Sequence, residues 1–388
     1  MSLESIDSVV DKVLSIARCS PEDRDWRSFY HGYSYGVNPS VYDKELEDIE
    51  HSSAIELLVD SIMEAIDTAK KHGAREAIAT RGGLSIVLSE VIIANSYGDR
   101  VSSKFSKVMM YYDVKSIDSS GSESTYPAIY TSRRLDKEEV IEEAKRAGEY
   151  STLFFKARTI ESGVYQLLLT PRVTAAVIES SLAPAFSALN IQENRSPLKG
   201  RVGEEVLSRS ITIIDDPSID WLYGSTPFDD EGHATYRKAV VENGVFKQIL
   251  YNHYTACRDG VESTGNGFRR SPSSSTYPGF TNLVLESRET SGFDELVASV
   301  KKGIVVYGVI GYWMSNPVNG GVQATITHGL YVENGGVKYP VKGVVMGGNI
   351  YEWLGGRLAG VSRERECIEN MCVPGILVNE ASIAGHGG

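Results

Sequence analysis

Positive charge is scarce in this chain. Its 388 residues carry 39 Lys and Arg against 51 Asp and Glu, a formal net charge of −12 at pH 7. A nucleic-acid footprint needs a basic stripe that displaces counterions from phosphates, so this balance argues against one. Long apolar runs are absent too. The least polar stretch, residues 303–314, is cut by Ser315-Asn316-Pro317. Roughly 20 apolar residues are needed to span a bilayer, so it reads as a buried strand or two. Met1 to Asp7 hold neither a basic nor an apolar region, and no secretory signal is expected. Cysteine is limited to Cys19, Cys257, Cys367 and Cys372. These are too few and too scattered for a disulfide framework, which points to thiols in a reduced cytoplasm. Only four glutamines occur, a low thermolabile content in keeping with a heat-adapted source.

Familiar catalytic signatures are missing as well. The histidines (31, 51, 72, 233, 253, 328 and 386) show neither H-E-x-x-H nor H-x-x-x-H spacing. No serine sits in a G-x-S-x-G elbow. The glycine-rich string Ser263–Gly267 lacks the lysine of a phosphate-binding loop. Cys367 and Cys372 lie without the paired C-x-x-C spacing of a structural zinc site.

What remains is an ordinary globular composition, 41% hydrophobic and 23% charged. The length suits two domains of roughly 100–200 residues each. A change of pattern divides the chain into an N-terminal α/β domain, residues 1–160, and a larger β-rich domain, residues 161–388. The stripe Leu3, Ile6, Val9, Val10, Val13, Leu14 and Ala17 predicts a first helix. Ser53 with Glu56 predicts a capping box for a second, closed by Gly73 at C′. Strands are predicted over Leu84–Ala94, Lys107–Ile117 and Tyr126–Thr131, the last two joined by a loop at Ser119–Ser122. A third helix should run from Asp136 to Gly148. Trp26 to Pro39 is aromatic and turn-rich, with no regular period.

In the second half a strand over Val164–Thr170 leads into Thr170-Pro171, an N-cap with proline at the first helical position. Pro184 should kink or split the helix that follows to about Asn190. Val-Glu-Asn-Gly occurs twice, at 241–244 and 332–335. Asn-Gly supplies the positive φ angles of a type I′ hairpin, so two similar β-meanders are expected. Between them a helix is predicted over Ser291–Lys302, with Lys301 and Lys302 in its last turn and Gly303 ending it. The expected class is α+β: an N-terminal α/β layer, then a larger β-rich mixed domain with repeated β-meanders.

Chemistry concentrates in a polar, glycine-punctuated string through Asp215-Asp216-Pro217, Pro227–Gly232, Ser263–Gly267 and Thr281-Asn282-Leu283. A hard-cation site among Asp215, Asp216, Asp229, Asp230 and Glu231 would need converging oxygens. Adjacent residues of an extended chain face opposite ways, and strand-end turns explain the same aspartates. The candidate substrate-binding residues are Asp229, Asp230, Glu231, Ser263, Thr264, Asn266 and Arg269. They offer carboxylates, glycine-spaced backbone N–H groups and a cation for a peptide carboxylate or carbonyl. For Ser263–Gly267 with Arg269-Arg270 the alternative is a surface loop with a solvated basic pair. His233 and His253 flank the first hairpin and could converge, or could be structural.

From about Val164 onward the chain resembles the TldD/PmbA family, also called modulators of DNA gyrase. The matching elements keep one order: Arg195–Glu204, Ile211–Pro217, Pro227–Gly232, Val241–Val245, Ser263–Gly267 and Thr281-Asn282-Leu283. Tyr331–Gly335, Pro340–Gly343 with Gly348-Asn349, and Pro374–Val378 with Ile383-Ala384-Gly385 follow. Asn95-Ser96-Tyr97-Gly98 extends the match forward, while the residues before about 50 match poorly and read as a shortened N-terminal region.

Active members of the family are zinc metalloproteases with H-E-x-x-x-H on a helix. Two histidines and a later cysteine hold zinc, and the glutamate is the general base beside the metal-activated water. Laid on Thr174–Leu189, the motif puts Ile178 and Ala183 at the histidines and Glu179 at the glutamate. Cys372 lies near the family's cysteine and has no partner ligands. The resemblance therefore implies the PmbA branch, also called TldE, with no catalytic residue, no metal ligand and no cofactor bound by this chain. Zinc is expected in a TldD-type partner. The implied role is a cytoplasmic, non-catalytic subunit of a two-component zinc metalloprotease that degrades or processes peptides and unfolded proteins. A homodimer without the partner is compatible with it, and neither nucleic acid nor membrane is expected. Two alternatives stand beside it: a self-sufficient metal-dependent peptidase with an unrecognised site, and a non-proteolytic peptide-binding module.

Overall fold

Alternating burial builds the first layer. The structure, a computed structural model, describes residues 3–385; the side chain of Leu3 and all of His386 lie outside the described set. After helix α1 (Leu3–Cys19) and helix α2 (His51–Lys71) come three antiparallel strands, β1 (Glu76–Ala94), β2 (Arg100–Ile117) and β3 (Glu123–Ser132), then helix α3 (Lys137–Leu153). Val108, Met110, Tyr112 and Val114 of β2 point to one face, where they are buried under Leu57 and Ala65 of α2 and Val140 and Ala144 of α3.

Two helix signals resolve differently from the sequence reading. Glu50 is the N-cap of helix α2 and makes no side-chain cap. The predicted Ser53–Glu56 box is not its start, because the helix begins two residues earlier and Ser53 is already helical. Asp136 does cap α3, accepting the N–H groups of Glu138 and Glu139. The helix then passes through Gly148 instead of stopping there. A Cβ at Gly148 would lie 2.3 Å from the Ala65 carbonyl oxygen of α2, so this glycine serves helix–helix approach.

In the second half, β4 (Gly163–Leu169) leads into α4 (Pro171–Ser181), a 3₁₀ turn (Ala183–Phe186) and α5 (Ala188–Gln192), the break falling at Pro184 as predicted. There follow β5 (Ile211–Asp215), β6 (Lys238–Glu242), β7 (Val245–Phe246), α6 (His253–Asp259), β8 (Gly267–Arg269), β9 (Thr276–Pro278), β10 (Leu283–Ser287) and α7 (Phe293–Ser299). The chain ends with β11 (Lys302–Ile310), β12 (Gly321–Glu333), β13 (Gly336–Val341), β14 (Val344–Asn349), α8 (Ile350–Trp353), β15 (Leu358–Ile368) and β16 (Met371–Ala384). Strands β4, β11, β12, β14 and β16 pair in a ring, which closes a five-stranded barrel. Helix α4 packs against β16, β11 and β15 and joins Leu167, Leu169, Trp353 and Ile376 in the largest core. The fold is mixed α+β.

Both meanders form, β5-β6-β7 and β11-β12-β13. Each has left-handed Asn-Gly in its last turn, with φ of 49° and 79° at Asn243-Gly244 and 50° and 74° at Asn334-Gly335. The helix predicted over Ser291–Lys302 is shorter. It ends at Ser299, and Lys302 and Gly303 enter β11, where a Cβ on Gly303 would sit 2.4 Å from the Gln166 carbonyl oxygen of β4. One cysteine expectation is corrected. Cys367 and Cys372 face each other across the β15–β16 hairpin with Cα atoms 4.0 Å apart, and they form a disulfide. A spacing of five gave no hint of this, because the hairpin register decides which residues oppose.

Candidate functional site

The aromatic segment that had no regular period builds one wall of a cleft. Residues 34–37 run along the loop 227–235. The N–H of Gly36 donates to Pro227 O (2.8 Å), that of Ser34 to Gly232 O (3.2 Å) and that of Val37 to Thr235 O (3.2 Å). A side chain at Gly36 would collide with the Thr235 carbonyl oxygen at 1.8 Å, and Gly232, at φ +87°, lies under the Tyr33 ring. This contact places Trp26, Phe29, Tyr30 and Tyr33 opposite Asp230, Glu231 and helix α6, around a cleft of about 790 Å³. Ile93 and Ala94 at the end of β1 and Arg269 complete it.

The polar string divides between this cleft and the interior. Asp230 and Glu231 line the cleft, and so does Arg269. The Asp230 carboxylate accepts the Arg269 N–H at 2.7 Å. Glu231 accepts the His253 N–H at 2.6 Å and the Thr276 hydroxyl at 2.5 Å, tying the loop to α6 and β9. Asp229, immediately before them in sequence and with a fully buried side chain, faces inward. It accepts N–H groups from Glu231, His233 and Gly267 at 2.8–3.0 Å. Burial, and then the neighbouring Glu231 charge, push its pKa up to about 8.

Asn266 and Thr264 also point inward, into a closed network around Asp215. Lys238 Nζ lies 2.9 Å from Asp215 and 3.1 Å from Asn266 Oδ1. Asn266 donates to Asp215 at 2.7 Å and Thr264 donates to Asn266 at 2.7 Å. The Thr281 N–H and hydroxyl donate to the other Asp215 oxygen at 2.7 and 2.6 Å. Every oxygen of that carboxylate is used. Ser263 donates to Tyr251 O at 3.2 Å and does not line the cleft.

His233 and His253 do converge, with ring centroids 5.5 Å apart. Tyr30 stacks on His233, and burial lowers the His233 pKa to about 3, keeping the imidazole neutral. Its Nε2 has no partner among the described residues. Cys257, one turn after His253 on α6, lies with Sγ 3.5 Å from His253 Nε2. Reading from sequence missed Tyr30, Tyr33 and Cys257. The dense aromatics between Trp26 and Tyr35 were the one available signal.

Helix α4 carries a different face. Ile178 is fully buried in the core, Glu179 is exposed, and Ala183 lies in the 3₁₀ turn beyond the helix end. Hydrocarbon side chains at two of these three positions do not fit a zinc ion. Among the described residues, no group of three or more His, Cys, Asp or Glu could hold a metal ion.

The chain matches two family models, the PmbA/TldA metallopeptidase central domain over residues 44–150 and the C-terminal domain over residues 162–385. A protein of Methanocaldococcus jannaschii is 32% identical over 344 residues, covering 85% of this chain and 74% of that protein. A metalloprotease of Methanothermobacter thermautotrophicus is 29% identical over 263 residues, 67% of this chain and 57% of its own length. The crystal structure of TldE from Thermococcus kodakarensis superposes with a TM-score of 0.85 at 27% identity, covering 99% of this chain and 86% of that one.

Proposed function

The chain belongs to the PmbA/TldD metallopeptidase family, and on that premise we propose that it is the non-catalytic, TldE-type subunit of a two-component zinc protease. It works in the cytoplasm beside a TldD-type partner that holds the zinc, and the substrates are peptides and unfolded proteins. The observation that carries the reading is α4. Where the family's zinc helix would present donors, this helix turns Ile178 into the core, and its eleven residues include no histidine. No catalytic step is assigned to the chain's own residues. Glu179 has Ile178 and Ala183, not histidines, at the flanking motif positions.

In this reading the cleft holds peptide. Its aromatic wall supplies sequence-tolerant apolar contact, and Asp230, Glu231 and Arg269 supply polar anchors. Extended chains already pair along this loop, as residues 34–37 do, and peptide strands are held by the same main-chain hydrogen bonds. The same reading divides the chain into two domains near residue 160, and the spans of the two family models, 44–150 and 162–385, are compatible with it. No helix among the described residues is long and apolar enough to cross a membrane.

The test is cleavage of an unfolded protein by this chain alone, by a TldD-type partner alone, and by both. Chelator-sensitive activity that rises in the mixture, with none from this chain alone, is the expected result. Chelator-sensitive cleavage by this chain alone overturns the reading.

A further inference from the structure

Helix α1 has an apolar face and no cover for it. Ile6, Val9, Val10, Val13, Leu14 and Ile16 lie along one side of the helix, each 44–59% exposed. Every residue from Ile6 to Arg24 is exposed, so no other element packs over this stretch. Five of those six side chains are β-branched, which lowers intrinsic helix propensity. A helix of this kind draws its stability from packing of its apolar face. A matching surface lies uncovered on the same chain. Between the start of α2 and the middle of β1, an edge strand, runs an open groove of about 490 Å³. Ile49, Ile55, Leu58, Leu84, Ile86 and Leu88 line it. Ile55, Val59 and Met63, at spacings of four, continue it along α2, and each is 51% exposed. The core face of α2 is already filled through Leu57 and Ala65, so this second apolar stripe is left over by the fold.

The root of α1 keeps it from its own groove. Just after the helix, Asp25 pairs with Arg258 of α6 at 3.3 Å, and Asp23 accepts the Tyr254 hydroxyl at 3.3 Å. Ile93 and Ala94, at the end of β1, line another part of the cleft. Leu84 to Leu88 lie roughly 16–33 Å farther back along that strand. Helix α1 is about 25 Å long, so from beside α6 it cannot lie along the groove of its own chain. We propose that two copies of this chain exchange α1, each laying its apolar face in the groove between α2 and β1 of the other. The exchange is reciprocal about a two-fold axis and therefore closed. With side-chain areas taken from their transfer energies, two helices and two grooves remove roughly 1,000 Å² from water, the least that a specific interface needs. A membrane surface fits less well. Surface-seeking helices carry Lys and Arg on the polar face, whereas Glu4, Asp7 and Asp11 outnumber Lys12 and Arg18 here. Because α1 leads into the aromatic wall at Trp26 to Tyr33, the exchange fastens the cleft wall of one copy to the body of the other. None of this requires a protease partner or a substrate.

The test is the association state of the full chain, read by sedimentation equilibrium with paired variants. A dimer is expected. Val9→Glu with Val13→Glu, on α1, and Ile55→Lys with Leu88→Lys, in the groove, should each raise its dissociation constant at least about 100-fold. All four positions are exposed, so near-ultraviolet circular dichroism should show each chain still folded. Lys12→Glu, on the polar face of α1, should leave the dimer intact. Contact is read by cross-linking with a short bis-maleimide in a Cys19→Ser, Cys257→Ser background. A mixture of Val10→Cys and Ile55→Cys chains should link into a species of twice the chain mass. A monomeric wild type overturns the exchange, and so does a dimer that either pair of variants leaves unchanged. A Val10→Cys, Ile55→Cys double variant that links only within one chain shows α1 packing on its own groove and also overturns it. A monomer that phosphatidylglycerol vesicles capture through α1 assigns the helix to a membrane instead.

Discussion

Asp229 and Asp230 are neighbours in the chain and opposites in the structure. Asp229, with Asn266, Thr264 and Asp215, turns into the protein, where each polar atom meets a fixed partner. Asp230, with Glu231 and Arg269, turns to the cleft, where side chains face solvent-accessible space. The two sets are interleaved in sequence and share one composition. What separates them is a turn closed by the Gly232 N–H on Asp229 O at 3.0 Å: Asp230 and Glu231 stand on its cleft side, while Asp229 takes the N–H groups of Glu231, His233 and Gly267 on the inside. A polar, glycine-rich string can thus be half scaffold and half surface, and only variants that act on one half alone tell the halves apart.

The largest expected effect falls on the interior half. Lys238→Met strands the Asp215 carboxylate, which is 0% exposed and has no other cation at hand. Loss of one partner of such a buried pair costs about 3–5 kcal/mol, measured as a lower urea midpoint. Retention of wild-type stability would break the distinction. Next is the seam between the halves. Gly36→Ala drives a methyl group into the Thr235 carbonyl, an overpacking cost of about 1–3 kcal/mol. It should release the aromatic wall and weaken peptide affinity in a fluorescence anisotropy titration.

Asp229 gives a pH signature. Its folded pKa is raised from 3.8 to about 8, so between those values the native state binds more protons than the unfolded one. Its contribution to stability is fully present at acid pH and is lost as pH rises through that window. Asp229→Asn should flatten the dependence, read by denaturation at pH 5 and pH 8; an unchanged slope would show that burial does not govern this carboxyl. The smallest stability effect belongs to the cleft half. Arg269→Ala should shift stability by less than about 0.5 kcal/mol, as exposed substitutions do, while reducing peptide affinity. Wild-type affinity there would remove Arg269 from the candidate set.

Where signals were local, the sequence was legible. Asp136 caps α3, Pro184 breaks the helix after α4, and both Asn-Gly pairs make left-handed turns. Each depends on the φ preference or hydrogen-bonding reach of one or two residues. Where a signal depended on a distant partner it misled. Gly148 looked like a terminator and is a point of contact with α2, and Gly303 looked like a helix stop and is a strand residue lying against β4. A glycine's missing side chain reads the same whether it frees the backbone or admits a neighbour. For the candidate site, the string was found but not its division. The aromatic wall went unread because residues 26–39 form neither helix nor strand, so no period exists to detect.

By itself the sequence determined the acidic charge, the α+β class, the two Asn-Gly hairpins and the absence of histidine donors along α4. These follow from composition and from preferences that act within a few residues. Tertiary structure decided the closing of the barrel, the Cys367–Cys372 pairing, the inward turn of Asp229 and Asn266, the meeting of Tyr30, His253 and Cys257 around one cleft, and the stacking of His233 on Tyr30. Those outcomes depend on register and on approach between segments more than two hundred residues apart in the chain. Short-range preferences carry no information about them.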